Sequence, residues 1–432
     1  MRRSTIVELT TLLCAVLVSP LAAQEDLKPY SNQPLGTLWT SPEEVPVTGE
    51  FQRNTVPIDE MMLKFLVDHQ VPGATLAISK GSRLVYARGF GFSDIENQLA
   101  MPADAQMRLA SVSKPITGAA IMQLVDQGKL SLDTKVFQHY PLADQQDIVD
   151  SRLLDITVLH LLRHRAGFDR DVSYDPMFIE RQVARFVDGE TPVDPQEIIK
   201  YMVTQKLDFD PGSRFAYSNY GYSLLGRVIE QETGQRYEDY VKENLLKPLG
   251  IETMGVGFTL PDKKLDQEPR YYMRKGETVV SLFDPTGPRV PYPYGRWSVQ
   301  TMDAHGGWVG SAIDLVKFAS AFNQPKRCKI LSADAIASMF RPPDLDFDNL
   351  DSDARGNKRF YAGGWNMLVF KNNQYNTFHG GLFSGTSTLL VRRYDGFCWA
   401  VLFNSSQTAG GDRPSSVIDS LIHQAVDAVK KW

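Results

Sequence analysis

Ser111-Val112-Ser113-Lys114 opens a run, Ser113 to Gln127, in which Ile116, Ala119, Ala120, Leu124 and Val125 recur at helical spacing. The run predicts a helix with a wide apolar face, closed by Gly128 as a C-terminal cap residue. A serine and a lysine three positions apart lie one helical turn apart and project to the same side. A serine hydroxyl alone is a poor nucleophile. A neighbouring amine whose pKa is lowered by burial or positive charge takes its proton. The helix N-terminus adds free N–H groups and the positive end of a dipole, which suit an oxyanion. The pattern is short. Alone, it equally describes Ser111 as a helix cap and Lys114 as a solvated charge.

Two more clusters carry polar chemistry. Tyr217-Ser218-Asn219 follows the turn Phe209-Asp210-Pro211-Gly212. A Tyr and an Asn at i and i+2 in a loop can point the same way. The phenol can relay a proton; the amide can hold a substrate carbonyl and hydrogen-bond Lys114. A turn with a packed tyrosine is the plainer alternative. His379-Gly380-Gly381 falls between a polar turn and a strand. Its glycines either let a substrate approach the backbone or mark a hairpin edge.

Working outward, Ile58 to His69 reads as a helix, and so do Ile156 to Arg163 and Tyr220 to Gly234. Gly73 to Ile78 and Leu84 to Ala87 flank the turn Lys80-Gly81-Ser82 and predict a hairpin. Strand patterns return at Gly364 to Phe370, Gly385 to Val391 and Cys398 to Phe403, and Ser415 to Trp432 is an amphipathic closing helix. Strands at both ends and helices between predict an α+β fold. Its antiparallel sheet comes from the two chain ends, flanked by helices, with a helical region inserted. Residues 257–300 hold six prolines among Tyr271, Tyr272, Tyr292, Tyr294 and Trp297. This predicts a functional covering loop or an insertion; as a covering loop it would line one side of the pocket.

The chain has 432 residues, 43% apolar and 22% charged, which excludes a disordered or coiled-coil protein. With 46 Lys+Arg against 51 Asp+Glu the net charge is −5, so no nucleic-acid partner is expected. The histidines show no zinc-ligand spacing, so no metal is expected. Arg2 and Arg3, the apolar run Leu9 to Val18 and Leu21-Ala22-Ala23 form a secretory signal pattern over residues 1–23. The run is shorter than the ~20 residues of a bilayer span, so no stable span is expected after cleavage, and the protein would be periplasmic or released. An anchored N-terminal helix is the alternative. Residues 24–55 read as a loosely ordered surface leader, and 56–432 as the ordered domain. Cys328 and Cys398 would remain after cleavage, either paired or as isolated core thiols.

Taken together and in order, S-x-x-K, Y-x-N and H-x-G resemble the serine β-lactamase and penicillin-binding protein superfamily. The branch resembled most holds class C β-lactamases, D-stereospecific peptidases and carboxylesterases. The likeness extends to Val71-Pro72-Gly73-Ala74, Leu161 to Phe168, Gly306 to Leu315 and Val401 to Asn404, and covers about residues 56 to 430. It implies a β-lactamase/transpeptidase-like fold. It implies Ser111 as the acylated nucleophile, with Lys114 and Tyr217 sharing base and acid duty in either order. Asn219 would orient the substrate. The oxyanion hole would be the backbone N–H groups of Ser111 and Leu382, beside His379, Gly380 and Gly381. No cofactor is implied.

One departure matters. The superfamily's β-lactamases and D,D-peptidases usually carry Lys-Thr/Ser-Gly on the third element, where the Lys pairs with a substrate carboxylate. Here His379 and Gly380 stand in those places, and a neutral imidazole pairs more weakly. The resemblance then implies an esterase or amidase before a β-lactamase, D,D-carboxypeptidase or D-aminopeptidase. The non-enzymatic alternative is a penicillin-binding-type receptor or scaffold. An α/β-hydrolase is disfavoured because no G-x-S-x-G occurs.

Overall fold

A computed structural model describes residues 28–265, 267–342, 352–353 and 355–432. The signal segment read at 1–23 lies outside them. In chain order the strands are β1 (Val47–Thr48), β2 (Gly73–Lys80), β3 (Arg83–Asp94), β4 (Leu99–Ala100), β5 (Met107–Arg108), β6 (Gly255–Val256), β7 (Thr278–Val280), β8 (Arg289–Pro291), β9 (Trp308–Gly310), β10 (Lys358–Ala362), β11 (Trp365–Val369), β12 (Tyr375–Phe383), β13 (Thr386–Arg392) and β14 (Phe397–Phe403). The longest helices among the described residues are α1 (Val56–His69), α2 (Ser113–Asp126), α3 (Asn219–Thr233), α4 (Ala312–Ser320) and α5 (Pro414–Ala428).

The principal sheet runs β1-β3-β2-β14-β13-β12-β11-β10, with β4 beside β3. Every pairing is antiparallel. The two chain ends meet at β2 and β14, with Ala77 opposite Ala400. The α+β expectation holds, and the reason is visible in β14. Its seven residues are all buried. Phe397, Trp399, Val401 and Phe403 face a core built with α1 and α5. Cys398, Ala400 and Leu402 face a second core with α2 and α4. Strand side chains alternate, so a strand covered by helices on both faces needs apolar residues throughout.

Helix α2 lies inside the second core. From Ser113 to Leu124 every residue is buried. A helix surrounded on all sides must be apolar all round except where a polar group has partners. The sheet also rests directly on its backbone. A side-chain carbon at Gly118 would stand 2.1 Å from the carbonyl oxygen of Gly363, in the β10–β11 turn. One at Gly364 would stand 2.5 Å from that of Lys114.

Three expectations are corrected. The leader is not loose over its described part: the Trp39 indole donates to Val71 O at 2.8 Å, and β1 pairs with β3. Its aromatic surface is stabilised by burial beneath Phe92. His379-Gly380-Gly381 lies within β12 rather than before a strand. The helix expected from Ile156 to Arg163 is only Val158–Leu162, capped by Thr157. Cys328 and Cys398 are both free thiols. Cys398 is buried, which pushes its pKa up to about 11 and leaves it unreactive.

Gly118→Val should cost about 3 kcal/mol, because backbone on both sides prevents relaxation. A urea unfolding midpoint unchanged from the parent would contradict this packing.

Candidate active site

Ser111 sits in a single 3-10 turn, Ala110–Val112, immediately before α2. The turn is clamped from two sides. Thr388 on β13 donates to Leu109 O at 2.8 Å, and Thr386 donates to Arg108 O at 3.2 Å. On the other side Leu109 N–H donates to Trp308 O at 2.8 Å, beside the β5–β9 pairing. Ala110 is held at φ +49°, a left-handed conformation that costs a non-glycine residue energy. The clamp holds that conformation at the residue preceding Ser111.

Two side chains converge on Ser111. Lys114 Nζ lies 3.2 Å from its Oγ, and the Tyr217 hydroxyl donates to the same Oγ at 2.9 Å. Lys114 Nζ also donates to Asn219 Oδ1 at 2.7 Å and to the His305 carbonyl at 2.8 Å. Asn219 is fixed in turn by its amide N–H, which donates to Asp175 Oδ2 at 2.6 Å. Ser218 caps α3 by accepting the Gly221 N–H at 3.1 Å, which sets the Tyr217-Ser218-Asn219 turn on that helix.

Burial decides the charge states. It pulls the Lys114 amine well below the ordinary lysine range; Asp175 opposes this and Arg170 reinforces it. The same burial lifts the Asp175 carboxyl and the Tyr217 phenol above their usual values. His379 is pushed down to about 3, so it is neutral. Its Nδ1 lies 2.8 Å from Gly380 O and its Nε2 3.0 Å from the Tyr361 hydroxyl. These partners assign an Nδ1–H tautomer that accepts from Tyr361.

The glycines of β12 differ in purpose. A side-chain carbon at Gly381 would stand 2.4 Å from Leu109 O and 2.1 Å from Thr388 Oγ1. Gly381 is therefore required by the close approach of β12 to the serine turn. One at Gly380 would meet nothing nearer than 3.8 Å.

A cleft of about 350 Å³ opens over Ser111. Tyr217, Asn219, His379, Gly380, Gly381 and Leu382 all line it, so the three sequence clusters meet there. Lys114 lies beneath, fully buried. No lining residue comes from 257–300. That segment instead backs the wall: Trp297 packs edge-on against Phe178, which does line the cleft. Buried Arg108 anchors it through the carbonyls of Phe258, Thr259 and Pro293. Asp175, Tyr361, Arg170 and the His305 carbonyl belong to the site but carried no signal in the sequence. Their roles depend on loops folding back, not on local spacing.

A family model described as Beta-lactamase matches residues 57–420. The chain belongs to the beta-lactamase family. Among its relatives, a probable fimbrial assembly protein FimD of Dichelobacter nodosus is 32% identical over 54% of this chain and 52% of its own length. Penicillin-binding protein 4 of Amycolatopsis lactamdurans is 30% identical over 63% of this chain and 66% of its own. The chain thus spans about half the length of the first of these curated relatives. The octameric penicillin-binding protein homologue of Pyrococcus abyssi aligns at TM-score 0.65 and 25% identity, over 86% of this chain and 77% of that one. The D-amino acid amidase of Ochrobactrum anthropi aligns at TM-score 0.62 and 22% identity, over 86% and 98%. These neighbours show the beta-lactamase/transpeptidase-like fold. Among the described residues no helix is long and apolar enough to cross a membrane, and no three His, Cys, Asp or Glu side chains are grouped to hold a metal ion.

Gly381→Ala should abolish acylation of Ser111 while Gly380→Ser keeps it, as read by intact mass after a reactive ester; equal labelling would refute the packing argument. His379→Gln should leave the shape of the pH–rate profile unchanged between about pH 5 and 8, because a group titrating near 3 changes no charge there. A limb that moves in the variant would show His379 titrating in that window.

Proposed function

We propose that this chain is a serine hydrolase that forms an acyl-enzyme on Ser111 and cleaves ester or amide bonds, esters foremost. The observation that carries the reading is the placement of Ser111 Oγ between Lys114 Nζ and the Tyr217 hydroxyl. A neutral amine has two N–H donors and one lone pair. Asn219 Oδ1 and His305 O take the two donors. The lone pair is left for the Ser111 proton, while Ser111 Oγ accepts from Tyr217. The lowered Lys114 and raised Tyr217 favour the amine as first base.

The steps balance as ordinary acyl transfer. Ser111 Oγ attacks the substrate carbonyl as its proton passes to Lys114. The carbonyl oxygen becomes an oxyanion, stabilised by the backbone N–H groups of Ser111 and Leu382. The bond to the leaving group breaks, and Tyr217 supplies that group's proton and is reprotonated from Lys114. Water then attacks the acyl carbonyl as one of its protons passes to the Lys114–Tyr217 pair; the acyl–Oγ bond breaks, that proton returns to Ser111 Oγ, and the carboxylic acid leaves. Asn219 holds both the amine and the substrate carbonyl side. The signal pattern at 1–23 supports action outside the cytoplasm. Neutral His379 supports esters over β-lactams and D-Ala-terminated peptides, which bring a carboxylate to that place.

Purified protein given p-nitrophenyl butyrate should turn it over, with a butyryl adduct trapped on Ser111 and both lost in Ser111→Ala. Lys114→Arg, which cannot release its proton, should slow acylation by roughly 10²–10⁴-fold. Nitrocefin and a D-alanyl-D-alanine peptide should be cleaved more slowly than the ester. Faster cleavage of either would move the assignment to antibiotic or cell-wall chemistry. No adduct with any of the three would leave the receptor reading.

A further inference from the structure

The walls of the cleft carry charge of one sign. Arg170 and Arg413 line it, and no Asp or Glu does among the described lining residues. Its two histidines, His305 and His379, are held neutral by burial. Lys114, beneath the floor, is pulled towards its neutral form. The fixed charge available to a substrate is therefore arginine.

Arg170 is the better placed by what it touches. Its guanidinium carbon stands 4.7 Å from the centre of the Tyr217 ring. The hydroxyl of that ring is 2.9 Å from Ser111 Oγ. One phenol thus separates the guanidinium from the reacting atom. Stacking on the ring fixes the plane of the fork and leaves its N–H edge open. Arg170 is exposed and makes no hydrogen bond or ion pair with a described residue. The nearest acids are engaged elsewhere: Asp169 pairs with Arg214 at 2.7 Å, and Asp175 accepts from Asn219 at 2.6 Å. A planar cation with free donors, beside the nucleophile and with neither Asp169 nor Asp175 bonded to it, suits a bidentate carboxylate.

We infer that Arg170 is a specificity-determining residue that takes a carboxylate on the substrate, so that the preferred esters or amides bear an anion a few bonds from the scissile carbonyl. This rests on the acyl-transfer reading of Ser111, and its test separates the two.

Phenyl butyrate, the monophenyl ester of glutaric acid and 4-(butyryloxy)benzoate form a matched set: neutral, anionic on the acyl side, and anionic on the leaving side. Their kcat/KM values would be compared for the parent and for Arg170→Lys, Arg170→Gln and Arg170→Glu. The parent should prefer at least one anionic ester. Arg170→Gln should lower that preference about tenfold or more, as expected for losing a hydrogen bond to a charged group. Arg170→Lys should keep part of it, and Arg170→Glu should invert it. A purely structural Arg170 would depress all three esters together, and an unchanged ratio in Arg170→Gln would overturn the proposal. Calorimetric binding of the same esters to Ser111→Ala protein is independent of turnover. Arg170-dependent binding of an anionic ester without turnover in the parent would sink the hydrolase reading and keep this one. Binding of neutral and anionic esters that does not depend on Arg170 would sink this one alone.

Discussion

A lysine amine with no exposure to solvent has to be provided for in every direction, and much of this molecule is arranged around that need. Moving a charged ammonium into such a place is costly, and the group responds by giving up its proton. The neutral amine still has two donors that must be satisfied. Asn219 and the His305 carbonyl meet that demand from two different stretches of chain. The one remaining direction faces Ser111. In the acyl-transfer reading proposed above, nucleophile activation is the leftover valence of a buried amine whose other needs are filled, once burial has drawn it to its neutral form.

That arrangement demands that distant segments be brought together without slack. Helix α2 carries Lys114 and starts directly after Ser111's turn, and it is buried from Ser113 to Leu124. The β10–β11 turn lies directly on it at Gly118 and Gly364. Strand β12 closes on the serine turn at Gly381. These contacts of backbone on backbone leave no side chain to rearrange, so they transmit position well. The sheet itself depends on the meeting of β2 with β14, which joins the first and last parts of the fold. The site therefore forms only when the whole chain has closed.

Much of this was legible in the residues, and what was not shares a cause. The turn Lys80-Gly81-Ser82 between two apolar runs and the all-apolar Cys398 to Phe403 marked strands, because burial on both faces leaves a composition signature. The three clusters were each ambiguous alone; their order, through its resemblance to the superfamily, pointed to Ser111, Lys114, Tyr217, Asn219 and the β12 glycines, which the fold gathers at one cleft. The leader was misread because a single tryptophan, Trp39, is enough to dock it, and one residue makes no period. The segment 257–300 was expected in the pocket because proline and aromatic content marks a loop but not the direction it faces. It is drawn instead towards buried Arg108, and it supports the pocket from behind. Asp175 and Arg170 were missed because a lone acid or base in a loop looks like any surface charge until its neighbours are known.

The substitution of His379 for the superfamily's lysine has an electrostatic consequence beyond substrate choice. Two amines in one buried cluster depress each other's pKa, since each protonated form raises the potential felt by the other. With a neutral imidazole on β12, that contribution to Lys114 vanishes. What remains is burial first, with Arg170 as a smaller contribution in the same direction. Burial is insensitive to salt, whereas an exposed cation such as Arg170 is screened. The charge state of Lys114 is therefore set chiefly by packing. The same exchange leaves Tyr361 and Gly380 to hold the imidazole, so β12 keeps its edge to the cleft without carrying charge into it. Charge on the walls is left to the two arginines at the rim, where it costs little to desolvate and can be met by a ligand.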